Sequence, residues 1–149
     1  NQRTAAAAAV AAHEVGHAVQ HATAYDWLTM RSKLVPIVSA SSNFSQWLVI
    51  GGLILGAASG ASNFGFYIAV TGLIFMGFAT LFSFITLPVE YDASNRALAW
   101  LQNKNMLSRE EYAGSKDALK WAARTYLVAA LGSLAMLLYW GLQVLGGRD

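Results

Sequence analysis

The stretch FSQWLVIGGLILGAASGASNFGFYIAVTGLIFMGFATLFSFITL, residues 44–87, decides the fold. It holds no Asp, Glu, Lys or Arg, and the uncharged run continues on both sides, from Leu34 to Val89. A soluble domain does not normally leave so long a segment without charge. The run divides at Ser59-Gly60-Ala61-Ser62-Asn63, small polar residues of the kind that punctuate turns. A bilayer crossing takes about 20 apolar residues. Residues 64–87 meet that length, and the earlier run meets it when started near Ser41, which gives spans of about 41–60 and 64–87. A third apolar run covers about 126–146. Helices apolar on every side face either lipid or an unusually large core. Lipid is the preferred reading here and a buried helical hairpin the alternative.

Composition agrees. The 149 residues are 56% hydrophobic and only 12% charged, about half the usual charged fraction. Cysteine is absent, which excludes disulfides and thiolate metal sites. A net charge of +2 gives no basis for a nucleic-acid partner.

Upstream of the hairpin lies His13-Glu14-Val15-Gly16-His17, an HExxH pattern inside an alanine-rich segment. Alanine is the strongest helix former, and residues four apart share a helix face. His13 and His17 can therefore offer two imidazole nitrogens to one Zn²⁺, while Glu14 is placed to take a proton from water at the open position. The flanking Ala11, Ala12, Val15, Gly16, Ala18 and Val19 are small and apolar, so this helix is expected to be buried. A catalytic zinc generally takes three protein ligands. The two ends of a hairpin emerge on one side of the membrane, which brings Leu87-Pro88-Val89-Glu90-Tyr91-Asp92 back to the zinc helix. Pro88 suits a helix start. Glu90 is then the natural third ligand, with Asp92 as its competitor. His21 lies two turns, about 12 Å, beyond His13, too far for the same ion. It is expected behind the ligands or against substrate, with a satisfied core histidine as the equal alternative.

AAHEVGHAVQHA (11–22), a long apolar hairpin, and then LPVEYDASNRAL (87–98) together resemble the YugP-type bacterial membrane zinc metallopeptidase family, over most of the chain. The resemblance implies a membrane-embedded neutral zinc peptidase with His13, Glu14 and His17 at its centre, one Zn²⁺ per chain, and the bacterial inner membrane as its location. Members usually carry a membrane anchor and a small region ahead of the zinc helix, so the chain, which starts without methionine, reads as N-terminally truncated. A more distant similarity to gluzincins, which follow HExxH with an ExxxD pattern, puts Glu90 at the ligand position and Ser94 where an aspartate is usual. The outer-shell role then passes to Asp92 or Asn95.

Lysine and arginine set the orientation. Arg31 and Lys33 precede the first span, and Arg96, Lys104, Arg109, Lys116, Lys120 and Arg124 lie between the second and third. Positive charge marks the cytoplasmic side, so the site should face the cytoplasm and the Ser59–Asn63 turn the outside. Ser94–Arg124 reads as a helical cytoplasmic cap, broken at Asn103-Lys104-Asn105 and restarted by a capping pattern at Ser108-Arg109-Glu110-Glu111. Ala97, Trp100 and Leu101 should form one packing face, and Ala118, Leu119 and Trp121 another. The expected fold is all-α and integral to the membrane, a single domain over 1–149: HExxH helix, transmembrane hairpin, cytoplasmic cap and third transmembrane helix.

The chemistry expected of it is peptide hydrolysis by Glu14-assisted attack of zinc-bound water, on a peptide or protein substrate that could itself be membrane-associated. His21, Tyr91 and Arg96 are the candidate donors to the oxyanion. Two other readings use the same motif. A site-2-type intramembrane protease takes its third ligand from an Asp-Gly pair, which does not occur in this chain. A non-catalytic zinc-binding membrane scaffold has no need of Glu14.

Overall fold

A computed structural model of the protein describes residues 4–59 and 62–146. Four helices and no strands are found among them: α1 (Ala5–Ala22), α2 (Asp26–Ser59), α3 (Ser62–Asn103) and α4 (Arg109–Gly146). Three stretches are long and apolar enough to cross a membrane: Asp26–Ala57, Asn63–Asn103 and Arg109–Gly146. Gly60 and Ala61, the middle of the expected turn, lie outside the described residues.

Local chemistry sets the helix ends. Thr4 caps α1 by accepting the Ala7 N–H at 3.2 Å. At its other end Tyr25 N–H reaches Gln20 O at 3.0 Å and Ala24 N–H reaches His21 O at 3.2 Å, a Schellman closure. It places Ala24 at φ 49°, where a Cβ is unfavourable. The same closure ends α3: Met106 N–H bonds Leu101 O and Asn105 N–H bonds Gln102 O, with Asn105 at φ 49°. This is the expected break at 103–105. The expected capping box opens α4, with Ser108 N–H donating to Glu111 Oε2 at 2.8 Å and Glu111 N–H to Ser108 Oγ at 3.2 Å.

One sequence expectation gives way. Pro88 does not start a helix but lies inside α3. Proline removes a single backbone donor, and in a 42-residue helix the turns on both sides carry on past that gap. The segment expected as a helical cap is helical on both sides of its break: Ser94 to Asn103 is the end of α3, and Arg109 to Arg124 is the beginning of α4.

The chain forms two compact units. One comprises Lys33–Phe84 and the chain from Ala129 on. Its core is Val49, Ala69 and Val144, with Leu53, Phe66, Leu73 and Trp140 packed against it. A Cβ on Gly52 would strike Ala69 N and one on Gly65 would strike Gly56 N, so α2 and α3 touch backbone to backbone here, as small residues permit in membrane helix pairs. Large apolar side chains point outward, among them Trp47 at 72% and Leu142 at 74% exposure. That is the surface a bilayer solvates.

The other unit comprises Ile85–Val128 and the chain up to Ser32. Ala9, Ala12, Ala97, Leu101 and Leu119 form its core, and the buried Ser115 hydroxyl donates to Ala5 O at 3.2 Å. Of the expected packing faces, Ala97, Leu101 and Leu119 are buried, but Trp100 and Trp121 are 40% and 58% exposed. Arg124 lies 4.5 Å from the Trp121 ring instead, an arrangement suited to an interface.

Candidate metal centre

Helix α1 buries one stripe only: Ala9, Ala12, Gly16 and Gln20. The expectation of a wholly buried helix fails on its other face, where Val10, Val15 and Val19 are 59%, 44% and 39% exposed. An 18-residue helix packed along one stripe cannot cover its far side. Gly16 fixes how closely that stripe packs, because a Cβ there would lie 2.5 Å from Ala93 O on α3. The contact sets α1 directly against the residues that follow Pro88.

The result is a convergence of three side chains. His13 Nε2 lies 3.2 Å, and His17 Nε2 3.7 Å, from the same oxygen, Glu90 Oε2. One ligand atom from each residue falls within 4.8 Å of the others, a group that could hold a metal ion. Ligands about 2.0–2.2 Å from a tetrahedral ion stand about 3.3–3.6 Å apart, close to the two distances from Nε2 to Glu90 Oε2. Glu90 is buried, at 3% exposure. Burying a carboxylate is costly unless it is paired. Here Oε2 meets the imidazoles, while Oε1 lies 3.8 Å from Arg31 Nη1. The two oxygens are divided between the histidines and the guanidinium.

Each histidine is held from behind. His17 Nδ1 lies 2.9 Å from Gln20 Oε1. Gln20 is fully buried, and its Nε2 donates to both Val89 O and Asp92 Oδ2 at 2.8 Å. With both amide hydrogens committed, Gln20 Oε1 accepts the proton of His17 Nδ1. That leaves Nε2 with its lone pair toward the centre. His13 Nδ1 lies 3.2 Å from Ser94 Oγ, which likewise leaves its Nε2 inward. Metal-ligating histidines are commonly fixed in this way.

Asp92 stands apart from the centre. Arg96 Nε donates to its Oδ2 at 2.6 Å, and Gln20 donates to the same oxygen. Arg96 also lies 5.7 Å from the Tyr25 ring. Burial and the nearby Asp92 charge, in that order, push the Tyr25 phenol above its ordinary range. His21, Tyr91 and Asn95 are exposed.

A cavity of about 210 Å³ opens over the three residues, lined also by Glu14, Ser94, Leu119 and Tyr126. Glu14 is exposed to it and makes no ion pair among the described residues. Tyr126 and Glu90 line the same cavity. None of the three expected oxyanion donors lines this cavity.

Sequence reasoning did not single out Gln20, Arg31 or Tyr126 for the site. Gln20 left a trace, as the only polar residue on the stripe of Ala9, Ala12 and Gly16. Arg31 and Tyr126 left none, since helix packing alone brings them near Glu90.

Residues 1–144 match the family model described as "Putative neutral zinc metallopeptidase". The chain is 38% identical over 147 residues to the Bacillus subtilis (strain 168) protein named "Putative membrane protease YugP". That alignment covers 99% of this chain and 62% of the relative, so the chain spans less than two thirds of the relative's length. No solved structure matches. Matched by that model from its first residue to the last turn of α4, the chain belongs to the family of neutral zinc metallopeptidases.

Proposed function

We propose that this chain is a membrane-bound zinc peptidase that hydrolyses peptide bonds at His13, His17 and Glu90 with Glu14 as its base. The observation that carries this is the approach of two Nε2 atoms to one buried carboxylate oxygen, at 3.2 and 3.7 Å. Both imidazoles are fixed from behind and a cavity lies in front. Such a donor set, two neutral imidazoles and one carboxylate, is that of a hydrolytic zinc site with an open position.

Zinc, when bound, lowers the pKa of a coordinated water and polarises a substrate carbonyl. The chain's own groups do the rest. Glu14 takes the proton from the attacking water and then returns it to the departing amine. Tyr126 faces the same cavity and donates its O–H toward the carbonyl oxygen as negative charge develops there. Arg31 keeps Glu90 Oε1 occupied, so that only Oε2 turns to the metal. Ser94 and Gln20 hold the imidazole planes. An aspartate at the Ser94 position is dispensable, because a hydroxyl reaches His13 Nδ1 and Asp92 acts on His17 through Gln20.

Substrates are peptides or proteins that reach a cavity beside the bilayer. The lysine and arginine pattern supports a site on the cytoplasmic side of a bacterial cell membrane. The test is cleavage of a casein-like substrate by the detergent-purified protein before and after chelation, with zinc then restored. Activity that is lost and regained supports the proposal, and chelator-resistant cleavage contradicts it.

A further inference from the structure

Beside the metal pocket, α3 and α4 enclose a second cavity of about 170 Å³. Ser94, Leu119 and Ala123 line both, so the two cavities share a wall. Leu98, Leu119 and Ala123 make its surface largely apolar, and Lys116 and Lys120 stand on it one helical turn apart. No carboxylate lines it. Neither lysine makes an ion pair among the described residues. Of the two acidic neighbours of Tyr91 in sequence, Asp92 is already bonded to Arg96 and Gln20, and Glu90 faces His13 and His17. Lysine stems can lie along an apolar wall while their ammonium groups stay polar and free. The metal pocket's remaining walls, Val10, Ala122 and Tyr126, carry no cation.

We propose that this second cavity is a substrate subsite for a carboxylate, supplied by an acidic side chain or by the free C-terminus of the peptide held in the metal pocket. The chain extended from the metal pocket past the shared wall of Ser94, Leu119 and Ala123 delivers that carboxylate to Lys116 and Lys120. Charge selection then rests with α4, while bond cleavage rests with α1 and α3. This assignment depends on the peptidase reading for the word substrate, but the cavity's preference for carboxylates can be measured without turnover.

The experiment uses fluorescein-labelled alanine-based peptides with Asp, Asn or Lys at successive positions, each with a free or an amidated C-terminus. Their binding to the full chain carrying Glu14→Gln is read by anisotropy in zwitterionic nanodiscs, and their cleavage is read with the unaltered chain. One Asp position, or the free terminus, should bind about 2–30-fold more tightly than its neutral counterpart, the range of two exposed ion pairs. Lys116→Gln with Lys120→Gln should remove that preference while leaving binding of the neutral peptide unchanged. Lys120→Glu should shift preference to the Lys peptide. The Asp and amidation arms distinguish a side chain from a terminus. Charge-blind binding and cleavage, or a preference that survives the double substitution, overturns the subsite. A preference abolished when the binding is repeated in nanodiscs containing anionic lipid also overturns it, and gives the lysines to headgroups. Carboxylate-selective binding without any cleavage supports the subsite and contradicts the peptidase reading instead.

Discussion

Nδ1 of His17 donates to Oε1 of Gln20 across 2.9 Å, inside a stripe otherwise made of alanine and glycine. The same amide bonds Val89 O and Asp92 Oδ2. One fully buried side chain thus fixes an imidazole on α1 and ties it to α3, one residue after Pro88 in one bond and four in the other. A buried amide with every bond satisfied stabilises one arrangement, and the same amide left unsatisfied is costly.

Gln20→Leu should therefore lower zinc affinity about 10–100-fold, the usual cost of removing a group that orients a ligand. Helix content should change little, since leucine suits a helix. Chelator competition with circular dichroism checks both. Unchanged affinity would mean that His17 needs no support from behind.

Glu90 and Asp92 separate by role. Glu90→Ala removes a group that meets both imidazoles and should lose zinc more severely than Asp92→Ala, whose carboxylate acts only through Gln20 and Arg96. The latter should fall within about 10–100-fold. Competitive chelator titration of the two variants gives the ranking, and the reverse order contradicts the proposed ligand set.

Packing makes its own demand at Gly16. A methyl there meets Ala93 O at 2.5 Å, so Gly16→Ala should destabilise by about 1–3 kcal/mol. Gly114 on α4 has nothing within 4 Å of an added Cβ, so Gly114→Ala should be neutral or gain up to about 1 kcal/mol. Thermal unfolding in detergent compares them. Equal effects would mean that α1 and α3 are not held at this distance.

Sequence carried the architecture further than the details. The uncharged run from Leu34 to Val89 announced long apolar helices, and the spacing of His13 and His17 announced their shared face, because both follow from local pattern; Glu90 was reached through the hairpin, with Asp92 as its competitor. Helix ends were legible too: Ser108 and Glu111 cap each other as their spacing requires. Pro88 misled, since a proline's local preference yields to the long helix on both sides of it. His21, Tyr91 and Arg96 were drawn toward the site by nearness in sequence, yet none lines its cavity. Tyr126, distant in sequence, does line it. Partners of that kind are set by which helix faces meet, and no periodicity in a single chain encodes it.

Topology follows from the charge pattern. Cysteines placed singly at Asn63 and Asn103, in a chain with none of its own, should react differently with a membrane-impermeant reagent in intact cells. Asn63→Cys should be labelled and Asn103→Cys protected, with the site on the cytoplasmic side. The opposite result inverts the orientation, and labelling of both removes the hairpin.

The central claim is that Glu14 is a base facing a metal held by other residues. It is tested most directly by zinc content and peptide turnover measured side by side in the unaltered chain and in Glu14→Gln. The substitution keeps size and hydrogen bonding but cannot take up a proton. One zinc per chain is expected in both, with turnover in the unaltered chain alone. Turnover that persists in Glu14→Gln, or zinc lost from it, would contradict the assignment.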